Sequence, residues 1–221
     1  MVISVNASVS SNARLLGAAL KALLALTALT GVLYPLAVTG VAQGLFPGRA
    51  DGSQVSAGGR VVGSSLIGQP YDLPGGSRPD PRWFQGRPAD GLTENTLNTR
   101  YRLLVSGATN LAADNPVLIR RVEDARAAVA RFDSVPGHPV RPSDVPADAV
   151  TSSGSGLDPD ISPRYARLQV RRVARENGLP VDRVRALVDR HTEGRDLGFI
   201  GEPRVNVLAL NTALGALAAK G

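Results

Sequence analysis

The sequence contains no cysteine. That removes thiolate nucleophiles and thiolate metal ligands, and an exported domain must then hold together on its packed core without disulfides. Histidine is nearly as scarce. His138 and His191 are the only two, with no His-x-x-x-His spacing. Metal sites need His, Cys or carboxylates clustered at ligand spacing, so no metal centre is expected. Aromatic residues make up 4% of the chain, too few for a base-stacking platform. Lysine is confined to Lys21 and Lys220, so arginine carries most of the net charge of +6. The arginines are spread among acidic residues rather than gathered in a stripe, and nucleic acid is not an expected partner. Two catalytic signatures are also missing: no G-x-S-x-G elbow and no G-x-x-x-x-G-K-[ST] phosphate loop occurs.

Charge is absent from one place in particular. Ala22–Ala42 has no charged side chain, and a mostly polar region follows it. A helix of this run would be about 31 Å long, close to the thickness of a bilayer's hydrocarbon core. Thr27, Thr30 and Thr39 can return their hydroxyl bonds to carbonyls one turn back. Pro35 frees a carbonyl and favours a kink. Gly31, Ala37 and Gly40 allow close approach of a neighbouring helix, and Tyr34 marks a helix–helix contact. The apolar run is longer than a signal-peptide core, and Ala37-Val38-Thr39 makes a poor cleavage site, so a retained anchor is expected. Before the run stand the α-amino group, Arg14 and Lys21, without an acid; after it come Arg49, Asp51 and Arg60. The positive-inside rule then puts the N-terminus in the cytoplasm and the following domain outside. The expected layout is a tail over residues 1–15, a membrane helix over 16–42 and one soluble domain over 43–221.

Within that domain, the chain up to about Asn115 is rich in Gly, Pro, Ser and Asn, and its regular structure should be short. Arg60–Gln69 suits a strand or two with turns, and Trp83-Phe84-Gln85 a short strand. Asn115-Pro116 is a helix start, after which Leu118, Val122, Ala125, Val129 and Phe132 form one apolar face. That helix should end before Pro136-Gly137. Ala149–Thr151 suits a brief strand, and Ser152–Pro163 a long loop. Ser162-Pro163 opens a second helix with Ala166, Val170 and Val173 on its apolar side, closed by Asn177-Gly178. Val184, Leu187 and Val188 mark a third helix that stops near Gly194. Val205–Leu208 suits a strand, and Leu210, Leu214 and Leu217 the face of a last helix. The fold class expected is α+β: a single N-terminal transmembrane helix, then one small mixed domain outside the cytoplasm.

Few residues point to chemistry. Ser155 lies between Gly154 and Gly156, and its pairing with His191 and an aspartate leaves an anchored hydrolase as an alternative reading. Such small residues more commonly let a backbone turn tightly. Asp158-Pro159-Asp160 reads as loop capping before a helix. His191 and Arg195 sit at a helix end, where a cation is favourable on simple electrostatic grounds.

Several longer motifs resemble one family. They are Gly31-Val32-Leu33-Tyr34-Pro35, Gly63-Ser64-Ser65-Leu66-Ile67-Gly68-Gln69 and Trp83-Phe84-Gln85-Gly86-Arg87-Pro88. Next come Ser106-Gly107, Asn110-Leu111 and Asn115-Pro116, then Thr151–Pro159 with Ile161-Ser162-Pro163, and finally Gly201–Leu208 with Leu210-Asn211. In this order they resemble the C subunit of the bacterial ATP-driven high-affinity potassium uptake complex, the KdpC family. Two departures stand out: Ala108 and Thr109 replace the family's usual residues in a Ser-Gly-Gly-Ser-Asn-Leu segment, and the stretch between Gln69 and Trp83 is enlarged and proline-rich.

The resemblance implies a non-catalytic subunit in the bacterial inner membrane. It implies partners: a channel-like potassium subunit, a P-type ATPase subunit and a small single-span peptide. It also implies a catalytic-chaperone role that raises the ATPase subunit's affinity for ATP, with no cofactor held tightly by this chain. Gln69, Ser153, Gly154, Ser155, Gly156 and Asp158 are then candidates for nucleotide or partner contact. Gly31, Tyr34, Pro35, Gly63, Ser64, Gly86, Arg87, Asn110 and Asn206 are candidates for partner contact alone. A reporter fused after Gly221 tests the expected topology: one that works only outside the cytoplasm should be active, and cytoplasmic activity would reverse the orientation.

Overall fold

A computed structural model describes residues 5–90, 93–94 and 104–219. The chain divides after Ser53 into two compact units.

The first unit is helical. Helix α1 (Val5–Ala28) runs through a π-helical turn (Leu29–Leu33) into α2 (Tyr34–Leu45), and a short α3 (Pro47–Ala50) follows. Over Ser11–Leu45 this rod is 35 residues long, apolar and long enough to cross a membrane. Pro35 explains the π turn. Proline lacks the donor for the usual bond and crowds the carbonyl four residues back. The helix widens just before it, and the Tyr34 N–H donates to the Leu29 carbonyl five residues back. Thr30 returns its hydroxyl to the Leu26 carbonyl at 2.7 Å, as threonine in an apolar helix should.

The second unit begins with an antiparallel hairpin, β1 (Gln54–Ala57) and β2 (Arg60–Ser64). Gly58 and Gly59, at φ 56° and 76°, supply the two left-handed turn residues. The proline-rich stretch after Gln69 folds back on itself, with Asp80 N–H on the Tyr71 carbonyl and Leu73 N–H on that of Arg78. A two-stranded pair, β3 (Thr93–Glu94) and β4 (Leu104–Val105), comes next. Helix α4 (Pro116–Asp133) starts where Asn115 caps the Val117 N–H at 2.8 Å. Two 3-10 turns (Pro142–Asp144 and Ala147–Ala149) lead to β5 (Asp160–Ile161), α5 (Pro163–Glu176), α6 (Val181–Arg190), β6 (Thr192–Glu193), β7 (Arg204–Asn206) and α7 (Val207–Ala218). The last sheet is antiparallel in the order β5-β7-β6. The fold is α+β.

The core forms where α5, α6 and α7 meet this sheet. Ala166, Val173, Val184, Val188, Val205, Leu210 and Leu214 are fully buried there. Ser162 caps α5 through the Tyr165 N–H at 3.0 Å, and Gly178 closes it at φ 65°.

Four expectations are corrected. Ala149–Thr151 is not a strand but the end of a 3-10 turn. The strand expected over Val205–Leu208 stops at Asn206, whose side chain accepts the Ala209 N–H and starts α7 at Val207. The third helix ends at Arg190, short of Gly194, and β6 follows it.

Trp83-Phe84-Gln85 is the fourth. It has no strand partner, because side-chain amides take the partner's place. Asn211 accepts from Phe84 N–H at 3.0 Å and donates to its carbonyl at 2.9 Å. Gln169 does the same for Gln85, at 2.7 and 3.0 Å. Each amide supplies the donor and acceptor that a neighbouring strand would have offered. Phe84 is thereby fixed in the core with no exposed surface.

Arg172 ties this arrangement to α4. Its guanidinium donates to Asp133 Oδ1 at 2.7 Å, to Gln169 Oε1 at 2.7 Å, to the Trp83 carbonyl at 2.9 Å and to that of Pro81. It lies 4.3 Å from the centre of the Phe132 ring. Both charged side chains are about as buried as the core, at 3% and 2% exposure. Burial raises the Asp133 pKa above the ordinary carboxylate value, and the charge and hydrogen bond of Arg172 pull it back. Asp133→Ala should lower stability by about 3–5 kcal/mol, because it leaves a buried cation without its counter-ion. Thermal unfolding of the purified chain in detergent reads this directly, and the double change Asp133→Leu with Arg172→Met should recover much of the loss.

Candidate functional site

The domain's motif segments converge on one cluster of loops. Arg87 follows the clamped Phe84-Gln85 pair, so its position descends from the buried amides. Its Nη1 donates to Asp158 Oδ2 at 2.8 Å, and its remaining donors reach the carbonyls of Thr151 and Ser152 at 3.4 Å. Both members of this ion pair are about one quarter exposed. Asp158 Oδ1 accepts the Asp160 N–H at 3.1 Å. The first half of the cluster is therefore an arginine that staples the two ends of the Thr151–Asp158 loop.

The serines shape the loop itself. Ser153 Oγ accepts the Gly156 N–H at 2.9 Å, Ser155 Oγ accepts the Leu157 N–H at 3.1 Å, and the two hydroxyls are 3.3 Å apart. Gly156 takes φ 68°, a value that suits glycine. Ser106 hydroxyl and Gly107 N–H both donate to the Ser155 carbonyl, at 2.7 and 3.2 Å.

The Gly63–Gln69 segment closes against the same loop. Gly68 N–H donates to the Leu157 carbonyl at 2.8 Å. A Cβ at Gly68 would lie 2.5 Å from the Asp158 carbonyl oxygen, so only glycine allows this approach. Gln69 folds its amide over Gly63 and donates to the Val62 carbonyl at 3.0 Å. Ser64 Oγ accepts the Leu66 N–H at 3.1 Å. Asn206 bridges from β7, donating to the Ser65 carbonyl at 2.8 Å and to Asp160 Oδ1 at 3.1 Å. Burial raises the Asp160 pKa, the Asn206 bond opposes this, the Asp158 charge adds to it, and Arg204 opposes it further.

Beside the ion pair lies a groove of 690 Å³, with Gln69, Arg87 and Asp158 on its polar side and Val129, Phe132 and Tyr165 among its apolar walls. Nucleotide phosphates need free backbone N–H groups and uncompensated positive charge. The N–H groups of Gly68, Gly107, Gly156 and Leu157 are already bonded within the cluster, and Arg87 is paired with Asp158. These four N–H groups and this arginine are therefore not open to a triphosphate. The loops of the cluster are bonded to one another.

Arg87, Ser153, Ser155, Gly156, Asp158 and Asn206 thus belong to one bonded cluster, and Gly63, Ser64 and Gln69 lie on the segment that closes against it. Gly154 and Gly86 lie in the cluster with open space around their Cα atoms. Asn110 stands apart at φ 53°, its amide bonded to the Ala108 carbonyl at 3.2 Å. Gly31, Tyr34 and Pro35 belong to the helical unit, at and just after the π turn. No hydrogen bond joins Ser155 to His191. The His191 Nδ1 is held by the Leu187 carbonyl at 2.9 Å, at the end of α6. Among the described residues no three His, Cys, Asp or Glu side chains gather in a way that could hold a metal ion.

The sequence reading missed Asp133, Gln169, Arg172 and Asn211, which position the Trp83–Arg87 segment. A signal was present. Gln169 and Arg172 follow Ala166 at steps of three, on the buried stripe of α5, and Asn211 lies between Leu208 and Leu214 on that of α7. Polar residues at core phase mark buried hydrogen-bonding partners.

These motifs and most of the apolar helix fall within residues 16–216, the span matched by the family model for the K+-transporting ATPase, c chain. The chain belongs to the KdpC family. It is 68% identical to the potassium-transporting ATPase KdpC subunit of Streptomyces coelicolor, over 98% of each chain. Identity to the subunit of that name from Streptomyces avermitilis is 64%, over 97% of this chain and 99% of that one. For Caldanaerobacter subterraneus subsp. tengcongensis it is 48%, over 84% and 86%.

Two glycines of the family motifs should behave differently. Gly68→Ala should separate the two loops and cost about 1–3 kcal/mol through overpacking against backbone. Gly154→Ala meets nothing within 4 Å and should melt within a degree or two of the parent in a thermal scan.

Proposed function

We propose that this chain is the non-catalytic C subunit of a potassium-transporting P-type ATPase. The observation that carries this reading is the family match, whose span takes in most of the apolar helix and the loop cluster. The helix anchors the chain in the bacterial inner membrane, N-terminus in the cytoplasm, with Gly31, Tyr34 and Pro35 packed against the channel-like potassium subunit. The P-type ATPase subunit and a small single-span peptide complete the complex. The domain lies outside, by the potassium entrance, where it caps and clamps the assembly.

The role is that of a catalytic chaperone. It raises the ATPase subunit's affinity for ATP. Nucleotide is cytoplasmic and the domain lies outside, so the effect passes through the complex rather than through direct contact. Such coupling requires that the domain bind one conformational state of the pump more tightly than another. A pre-bonded, stapled surface suits that task, because it changes little on binding and discriminates by fit.

Co-expression of the tagged chain with the other pump subunits tests the proposal. A stoichiometric complex should be recovered, and the KM for ATP in potassium-stimulated hydrolysis should be lower with the chain than without it. Failure to co-purify, with hydrolysis unaltered by its omission, would refute the reading.

A further inference from the structure

Among the described residues of the domain the two most exposed large apolar side chains, Leu197 and Phe199, share one short turn between β6 and β7 with Ile200. Leu197 is 83% exposed, Phe199 72% and Ile200 50%. Large apolar residues so close together on a surface mark a contact site, because water around them is costly. The turn that carries them is well defined. Asp196 and Ile200 exchange two backbone bonds of 2.9 Å, and Phe199 N–H closes the tip on the Asp196 carbonyl at 3.2 Å. Below the tip, Arg195 pairs with Glu202 at 3.2 Å, and Arg204 with Glu193 at 2.8 Å and Asp196 at 3.8 Å.

Backbone conformation supplies a second observation. Leu197 and Gly198 at the centre of the tip have φ 53° and 83°. Two consecutive left-handed residues make a turn that asparagine-glycine or aspartate-glycine fills with least strain. A leucine there is an outlier, and its side chain returns no packing to the domain, being almost wholly in solvent. A residue that strains the backbone and buries nothing within its own domain is suited to burial in another.

Charge decides between a lipid surface and a protein. A loop that dips into a membrane is normally ringed by lysine and arginine that meet anionic headgroups. Here the stem carries three carboxylates, Glu193, Asp196 and Glu202, against two arginines, Arg195 and Arg204, and Asp160 of the neighbouring β5 adds a fourth acid beside Arg204. Both arginines are paired, and the collar is net acidic on a chain whose overall charge is +6. Such a collar is repelled by anionic lipid and matches a basic rim on a protein.

We propose that the Arg195–Gly201 hairpin is a docking finger, whose Leu197 and Phe199 enter an apolar socket rimmed by arginine or lysine on a neighbouring subunit. The proposal rests on the subunit reading above and names the surface through which the domain engages its complex. Because the finger is already folded, little ordering entropy is lost on docking.

The test uses the co-expressed complex. Leu197→Asn relieves the strained turn while removing the apolar side chain, so the purified chain should melt at or above the parent temperature. Its recovery with the other subunits should nevertheless fall on the order of tenfold or more, as for loss of a buried anchor. Phe199→Asp should reduce recovery similarly. A benzoylphenylalanine at position 199 should crosslink to another subunit, at an apolar site flanked by basic residues. Undiminished recovery of both variants would overturn the finger, as would crosslinking only to lipid or to a second copy of this chain. If the unaltered chain itself fails to co-purify, the subunit reading falls and the finger with it. Full recovery of parent and variants alike removes the finger alone.

Discussion

The domain is organised around one cation that has been taken out of water. A guanidinium buried as deeply as Arg172 is tolerated only if nearly all its donors are satisfied and its charge is balanced. Asp133 provides the charge, Gln169 and two carbonyls take other donors, and the Phe132 ring covers a face. These partners come from the end of one helix, the middle of another and a segment with no regular structure. Closing the shell of one side chain therefore brings three distant stretches of chain into register. Such a constraint is directional where hydrophobic packing is not, so it selects one arrangement of the helices.

From that centre, order propagates outward through side-chain amides. Gln169 serves both Arg172 and Gln85, and Asn211 serves Phe84. An irregular segment is held as firmly as a strand, without an exposed strand edge beside it. Edges of that kind invite pairing with other chains, and a subunit that must meet particular partners gains from lacking one there. Arg87 then transfers the position of this segment to the Thr151–Asp158 loop, where the serines bind the loop to itself. The product is a surface whose loops are bonded to one another.

The parts legible in the sequence were those set by local rules. The caps Asn115 and Ser162 and the closing Asn177-Gly178 mark helix ends where the structure has them, because a cap depends on residues only three or four positions away. The α+β class followed from the same periodicities. What was illegible depended on distant partners. Trp83-Phe84-Gln85 has strand-like composition, but its bonding partners lie 84 and 127 positions away and are side chains. Val207 and Leu208 look like strand residues because the core they join is apolar all round; the cap from Asn206 outweighs their β-branching and aliphatic character. In the candidate site, Arg87, Asp158 and Asn206 were visible as members of motifs. That they form one network was not, since nothing in their spacing encodes which carbonyls they reach.

The π turn in the apolar helix has a consequence for its outward faces. Each residue of an α-helix advances about 100° around the axis, and a π turn absorbs one residue without that advance. Every side chain after Leu33 is therefore rotated by roughly this angle from where an unbroken helix would put it. Restoring regular geometry at Leu29–Leu33 would turn Tyr34 and the whole of α2 toward a different neighbour with no change to any residue of α2. The helix thus has two addresses, one written above Pro35 and one below it, and the wide turn sets the angle between them.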